Sequence, residues 1–283
     1  MDKASKGRRN AQAASSAGAL TEAEGERTLL DLVEGEIIPR LMLAHRDRRE
    51  FPSEPDIRYA ESVAFGCALL ERSPSVARQM VDGYLERGVR LESIFLDLFA
   101  PAARYLGELW ESDQCNFSQV TLSLWRLQSL LHELSPSFHA GSGSAELART
   151  AERRILMATL PGQQHTFGLS MLAEFFRREG WVVLSIPSPD PGETQAALSR
   201  HWFDVLALSA SMDYEVDDLA RTIQAARKTS QNPRLAVMVG GPLFLRQPEL
   251  AATVQADGVS TDAIDALQLA SQLIQRQKDA RLN

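Results

Sequence analysis

The pattern that most constrains the fold of this 283-residue chain is an alternation of short apolar runs and amphipathic segments after residue 152. Helical periodicity follows each apolar run, as expected for repeated strand–helix units. The apolar runs are candidate strands at residues 154–160, 181–187, 203–209, 234–239 and 258–260. The amphipathic segments are candidate helices at about residues 168–179, 192–201, 215–229, 247–255 and 262–276. Five such units predict a parallel sheet with helices on both faces.

The connections between these strands also predict the order of the sheet. Crossovers between parallel strands are right-handed, and this favours a flavodoxin-like (Rossmann-like) order, 2-1-3-4-5. The first strand then lies in the centre of the sheet, and the winding of the chain reverses beside it. Ligands of such sheets bind at the carboxyl ends of the strands, at this switch point.

The region before the α/β pattern is predicted to be helical. In residues 27–138 apolar side chains recur at three- and four-residue spacing, which indicates a helical bundle. The clearest helix runs from Leu91 to Trp110, and the segment Asp113–Asn116 ends it.

The remaining segments are interpreted as connections. Residues 139–151 contain closely spaced Gly and Ser and are predicted to be a linker. Residues 1–26 are rich in Ala, Ser, Gly and Gln and are predicted to be a disordered arm. The predicted organisation is therefore this arm, a helical bundle domain at 27–138, the linker, and an α/β domain at 152–283.

Composition excludes several classes of function. Thirty basic against 37 acidic residues give a net charge of −7, so direct DNA contact is not expected, because phosphate neutralisation needs clustered Lys and Arg. No apolar run is long enough to span a membrane, and no secretory signal is recognised. Cys67 and Cys115 are the only cysteines, which fits a reducing cytoplasm. Cys67 is interpreted as a core residue, and Cys115 lies in a predicted loop.

One histidine stands at the predicted switch point. His165 lies in the first strand–helix loop, within the segment Pro161–Gly168. The later strands end in small or hydroxyl residues, with one acid: Ser209, Ser211, Gly240, Gly241, Asp257 and Gly258. Side chains this small leave a slot at the strand ends. An imidazole beside the slot suits a large ligand, planar or with a long tail, whose metal ion has a free coordination position. The first strand is not followed by GxGxxG, and neither GxxxxGK[ST] nor GxSxG occurs.

Together these residues resemble the cobalamin-binding domain pattern DxHxxG…SxL…GG. The resemblance implies that His165 is the lower axial ligand of cobalt and that the nucleotide tail enters the slot. The bundle resembles the cap over the upper face of the corrin, which places Trp110 above the cobalt. The implied cofactor-binding residues are His165, Gln163, Thr166, Gly168, Ser209, Ser211, Gly240, Gly241, Asp257, Gly258 and Trp110.

Two positions depart from the family pattern. Gln163 replaces the Asp that normally accepts the second imidazole N–H and raises the basicity of the ligand. Its carbonyl can accept the same bond without a charge, which implies weaker or differently tuned cobalt ligation. Ser211 replaces the Leu of SxL and makes the slot more polar. Both changes count against a methyl-transfer role.

The loop sequence and the lack of a catalytic module resemble one subfamily, the AerR/PpaA antirepressors of photosynthetic bacteria. This resemblance implies a non-enzymatic transcriptional regulator that responds to light or oxygen. Its implied partner is a DNA-binding repressor of the CrtJ/PpsR type, which controls photosynthesis genes.

The cap differs from that of the light-sensing repressors of the CarH type. Those proteins carry Glu-His ten residues after the cap Trp, where this chain has Val120-Thr121. The groups that contact an adenosyl ligand are then absent, so hydroxocobalamin is the expected form. His132, near the end of the last bundle helix, is a candidate upper ligand of the metal.

Three other interpretations remain open. The chain is also similar to corrinoid carriers that serve a methyltransferase. A haem-binding redox sensor is an alternative, because His165 suits either metal. The third is a cofactor-free relative whose slot is filled by side chains.

Overall fold

A computed structural model shows a five-stranded, all-parallel sheet in the order β2-β1-β3-β4-β5, which confirms the predicted order. The structure describes residues 57–71, 73–140, 153–163, 166–212 and 215–282. The strands are β1 (Arg154–Thr159), β2 (Val182–Ile186), β3 (Val205–Ser209), β4 (Ala236–Gly240) and β5 (Gly258–Val259). The predicted arm, the apolar pattern at residues 29–41 and His165 lie outside the described residues.

The helices of the α/β region follow the predicted alternation, with one difference. They are α6 (Phe167–Arg178), α7 (Glu193–Arg200), α8 (Val216–Thr229), α9 (Pro242–Arg246), α10 (Leu250–Thr253) and α11 (Ala263–Leu282). Within the range of the helix predicted at 247–255 only the short α10 forms, and α9 precedes that range. Pro248 stands between them, and a proline restricts the preceding residue and lacks the N–H that a continuous helix needs.

The helical region is built from five α-helical segments within the described residues. They are α1 (Tyr59–Leu70), α2 (Ser75–Glu86), α3 (Leu91–Ser93), α4 (Ala100–Glu111) and α5 (Phe117–Ala140). The helix predicted from Leu91 to Trp110 is present, but Ile94–Phe99 forms a π-helical segment. Pro101 follows it and has no N–H to donate to the carbonyl four residues earlier, so the wider turn lies where the α-helical bond is missing.

The sheet is buried on both faces because alternate residues of each strand point to opposite sides. Leu156, Leu206 and Val237 pack on the face that α7 and α8 cover. Ile155, Val205 and Ala236 pack on the other face, which α6 and α11 cover. The inner strands β1, β3 and β4 are therefore buried along most of their length, and their carboxyl ends meet at one edge.

The core of the helical region continues into the α/β region. The Phe138 ring lies 4.8 Å from that of Phe95 and 5.0 Å from that of Phe175, which belongs to α6. His139 Nε2 lies 2.9 Å from Glu174 Oε2 beside this contact. Helix α5 thus runs into the predicted linker and holds the helical region against α6.

We expect Phe175→Ala to lower the free energy of unfolding by about 3–5 kcal/mol, because it removes a buried ring from this shared core. Trp125→Ala is the control, because this side chain is 66% exposed and its loss should change stability by about 0.5 kcal/mol or less. Thermal unfolding followed by near-ultraviolet circular dichroism checks both values. A Phe175→Ala protein that melts like the parent would contradict the shared core.

Candidate functional site

A row of small side chains crosses the carboxyl edge of the sheet. Thr159, Ser209 and Gly240 are direct neighbours in the parallel register of β1, β3 and β4. Ser260 follows β5, and its carbonyl oxygen would lie 3.1 Å from a Cβ added at Gly240. By strand alternation these residues share the face of α6 and α11. No side chain of the row is larger than that of threonine, and the hydroxyl of the buried Thr159 donates to Leu160 O and accepts the N–H of Ser188.

Gly241 lies where the backbone after β4 approaches the end of β3 most closely. Its φ is +95°, and a Cβ there would lie 2.6 Å from both Ala210 O and Ser209 Oγ. Glycine is thus required by backbone conformation and by the close approach of two strand ends. The predicted Gly240–Gly241 pair has this physical reason in the fold.

The loop after β1 leaves open space at the start of α6. Gly162 has a φ of +80°, and the N–H of Gln163 bonds to Leu160 O at 3.2 Å, which closes the turn. Thr166 precedes α6, and an added Cβ at the exposed Gly168 would meet no atom within 4 Å. Among the described residues no contact requires Gly168, so on their side the start of α6 has room for a bulky group.

A buried acid at the end of β3 was missed by the sequence analysis. Glu215 is buried, and its Oε2 accepts the N–H of Ser211 at 2.8 Å and that of Met212 at 2.9 Å. Its Oε1 is shielded from solvent without a hydrogen-bond partner. An acid next to a helix start is usually solvated. The available sequence signal was the spacing of Glu215, which stands four residues after Ser211 and three after Met212.

Asp257 and Gly258 lie at the amino end of β5, whereas Ser260 lies at the level of the row. Asp257 Oδ2 accepts the N–H of Val237 at 2.7 Å and contacts Arg227 Nη2 at 2.9 Å. A Cβ at Gly258 would lie 2.6 Å from Leu269 Cδ1 in α11. The structure therefore gives both residues contacts within the protein fold.

Two aromatic side chains are exposed where α4 is joined to α5. Trp110, in the last turn of α4, is 42% exposed, and Phe117, the first residue of α5, is 60% exposed. His132 is exposed further along α5, and His139 is the α5 histidine that contacts the α/β region. The prediction that Trp110 contacts the cofactor stays a prediction.

The structure contradicts the prediction for Cys67 and confirms that Cys115 lies in a loop. Cys67 is exposed, with its Sγ 3.7 Å from Tyr105 OH, so its interpretation as a core residue was wrong. Cys115 is buried. Its N–H bonds to Leu109 O at 3.2 Å, which folds the loop back on α4.

The described residues contain neither a side-chain cluster suited to a metal ion nor a helix suited to spanning a membrane. No three His, Cys, Asp or Glu side chains of the described ranges come together in a way that would hold a metal ion. None of the helices in these ranges has the length and apolarity to cross a membrane.

The helical region and the α/β region each match a family of B12 binding domains. Residues 153–277 match a family described as B12 binding domain, and residues 65–135 match a second family of the same description. An uncharacterized 20.5 kDa protein in the bchF–crtJ intergenic region of Rhodobacter capsulatus is 28% identical over 183 residues. The matched segment is 65% of this chain and 93% of that protein.

The fold is also that of a known corrinoid protein. The monomethylamine corrinoid protein of Methanosarcina barkeri superposes with a TM-score of 0.56 at 14% sequence identity. The superposition covers 77% of this chain and 99% of that chain. A helical region followed by a Rossmann-like sheet is thus shared at the level of fold. With both of its regions matched, this chain belongs to the B12-binding domain proteins, of the AerR/PpaA type that its sequence resembles.

Proposed function

We propose that this protein binds cobalamin at the carboxyl edge of the sheet and acts as a light- and oxygen-responsive antirepressor of photosynthesis genes. Its target is a DNA-binding repressor of the CrtJ/PpsR type. The observation that carries the proposal is the 28% identity, over most of its length, to a protein from the bchF–crtJ intergenic region. Two B12 binding domain matches in the same chain support cobalamin as the signal-receiving group.

The residues at the edge fit a cofactor with a long tail. The row Thr159, Ser209, Gly240 and Ser260 contains no bulky side chain, its two serines carry hydroxyl groups, and an added Cβ at Gly168 meets none of the described residues. His165 would hold the cobalt, and Gln163 would accept the second imidazole N–H. When bound, cobalamin supplies a cobalt centre whose axial bonds respond to light and to oxidation. Hydroxocobalamin is the form that we expect this cap to retain.

Helix α6 connects the cofactor loop to the helical region. It begins at Phe167, directly after the loop, and its far half carries Glu174 and Phe175 in contact with α5. A ligand shifts the equilibrium between two arrangements of a protein only if it binds one arrangement more tightly than the other. Cobalamin contacts with the 161–168 loop would change the packing of α6 on α5 in this way, and so expose or cover the repressor-binding surface.

The first test is the absorption spectrum of the full-length protein after incubation with hydroxocobalamin, adenosylcobalamin or haemin, in the dark and in light. We expect retained hydroxocobalamin with a histidine-ligated spectrum, and loss of that spectrum in His165→Ala. Failure to retain any corrinoid would refute cobalamin binding. A histidine-ligated Soret band would then indicate a haem sensor. Methyl transfer from bound methylcobalamin to a thiol acceptor, given a partner enzyme, would indicate a corrinoid carrier.

Gly168→Ala separates cofactor binding from folding. An Ala at this helical position has no neighbour to clash with, so stability should stay the same or rise by up to about 1 kcal/mol. The methyl group enters the space that the cofactor needs, so we expect cobalamin affinity to fall by about tenfold or more. Gly83→Ala in α2, which also meets no atom within 4 Å, is the matched control and should leave affinity unchanged. Equal affinities of the two variants would refute the placement at α6.

Repressor capture tests the regulatory part of the proposal. We expect purified repressor to be retained by the cobalamin-loaded protein to different extents in the dark and in light. Trp125 and Leu122 form an exposed apolar pair on α5, and we expect Trp125→Ser to weaken capture about tenfold while cobalamin retention stays normal. Retention of cobalamin without any repressor capture in either condition would leave a cobalamin protein of another function.

A further inference from the structure

Strand β2 forms an edge of the sheet, and none of the described residues pairs with its outer side. It lies at the end of the order β2-β1-β3-β4-β5 and is hydrogen-bonded to β1 on one side. Its sequence, VVLSI, contains neither a charge nor a proline, the features by which edge strands normally avoid pairing. Val182 and Leu184 are 46% and 38% exposed. An apolar edge of this kind is suited to pairing with another strand.

The backbone geometry shows which groups point outward. The N–H of Val182 bonds to Arg153 O at 2.9 Å, so Val182, Leu184 and Ile186 direct their backbone groups toward β1. Strand alternation then directs the N–H and C=O groups of Val183 and Ser185 away from the sheet. The two outward residues lie on either side of Leu184.

This arrangement is complementary to itself about a two-fold axis at Leu184. In an antiparallel pair of β2 strands, Val183 of one copy faces Ser185 of the second copy, and each such pair exchanges both backbone hydrogen bonds. Leu184 faces Leu184 of the second copy at the closer, non-hydrogen-bonded spacing, where two apolar side chains gain most from contact. An extended peptide of another protein would satisfy the backbone groups equally well but has no defined register here.

Charges on α7 select the same antiparallel arrangement. Helix α7 follows β2 and runs back along it, so Glu193 lies near the carboxyl end of β2 and Arg200 near its amino end. A cavity of about 390 Å³ lies between β2 and this helix, lined by Leu184, Glu193, Ala196, Ala197 and Arg200. A two-fold axis across β2 brings Glu193 of one copy toward Arg200 of the other, with the small alanines between them. A parallel pairing would place the second α7 on the opposite face of the joined sheet, so these charges would not meet.

We propose that two copies of this chain associate through antiparallel pairing of their β2 strands, which joins the two sheets into one. The interface consists of the Val183–Ser185 backbone pairs, the Leu184 contact and the reciprocal Glu193–Arg200 ion pairs. The cofactor edge lies at the strand ends and stays open, so the inference is independent of the proposed function.

Sedimentation velocity of the full-length protein across a concentration series tests this interface. We expect a dimer that Leu184→Lys weakens by about a hundredfold, because a charge replaces an apolar contact at the symmetry axis. Leu122→Lys on α5, at a position of similar exposure, is the matched control and should leave the dimer intact. Unchanged melting temperatures will show that both variants fold.

Charge exchange tests the antiparallel direction. Glu193→Arg or Arg200→Glu alone should weaken the dimer by about tenfold, because each places like charges together. The double variant, or a mixture of the two single variants, should restore association. A monomeric parent protein, or a dimer that none of these changes affects, would overturn the proposal. Repressor capture abolished by Leu184→Lys in a monomeric parent would reassign the edge to a heterologous peptide.

Discussion

The hydrogen-bonded register of β1 with β3 and β2 is the constraint on which the rest of the structure depends. Because β1 lies inside the sheet and all strands are parallel, each connection returns across a face, and every carboxyl end reaches the same edge. The register sets Thr159 beside Ser209 and Ser209 beside Gly240, so the row at that edge follows from the pairing alone. The loop with His165 follows β1, at the Thr159 end of this row.

The helical region shares its core with helices of the α/β region. Phe95, Phe138 and Phe175 form one aromatic cluster from three helices that are distant in sequence. Arg178 also pairs with Glu92 and lies over the Phe138 ring, 4.4 Å from its centroid. Apolar packing supplies the attraction, and the ion pairs around it set the orientation. Two elements of the α/β region, α6 with Met171 and Phe175 and α11 with Ala263, thus contribute to the core of the helical region.

The sequence was sufficient for the fold because its information is periodic. Apolar runs of strand length, each followed by helical spacing, leave few arrangements once right-handed crossovers are required, and the predicted strand order is confirmed. Periodicity does not say which side of a weakly amphipathic helix is buried. In α1 the core side carries Phe65, Gly66 and Leu69, which leaves Cys67 at the surface. Gly66 is buried because Tyr105 packs against it, a tertiary contact without a sequence signal.

The candidate site was predicted less completely, for a related reason. Small residues at strand ends are visible in a sequence, and Ser209, Gly240 and Gly241 occupy the rim in the structure. The fifth strand was predicted at 258–260, but the site prediction named Asp257 and Gly258 as its end, so Ser260 was missed at the row. Glu215 was missed because its burial arises from backbone N–H groups that turn toward it in the loop. Whether the site residues contact cobalamin stays a prediction.

The contact between Phe138 and Phe175 also bears on how this protein can be divided for study. The B12 binding domain match begins at residue 153, which invites expression of the α/β region as a separate fragment. Such a fragment would carry Met171 and Phe175 without the helices that cover them. It would have a new apolar surface along α6, beside the cofactor loop, and ligand affinities measured on it would include the tendency of that surface to bind detergents, other fragments and hydrophobic dyes.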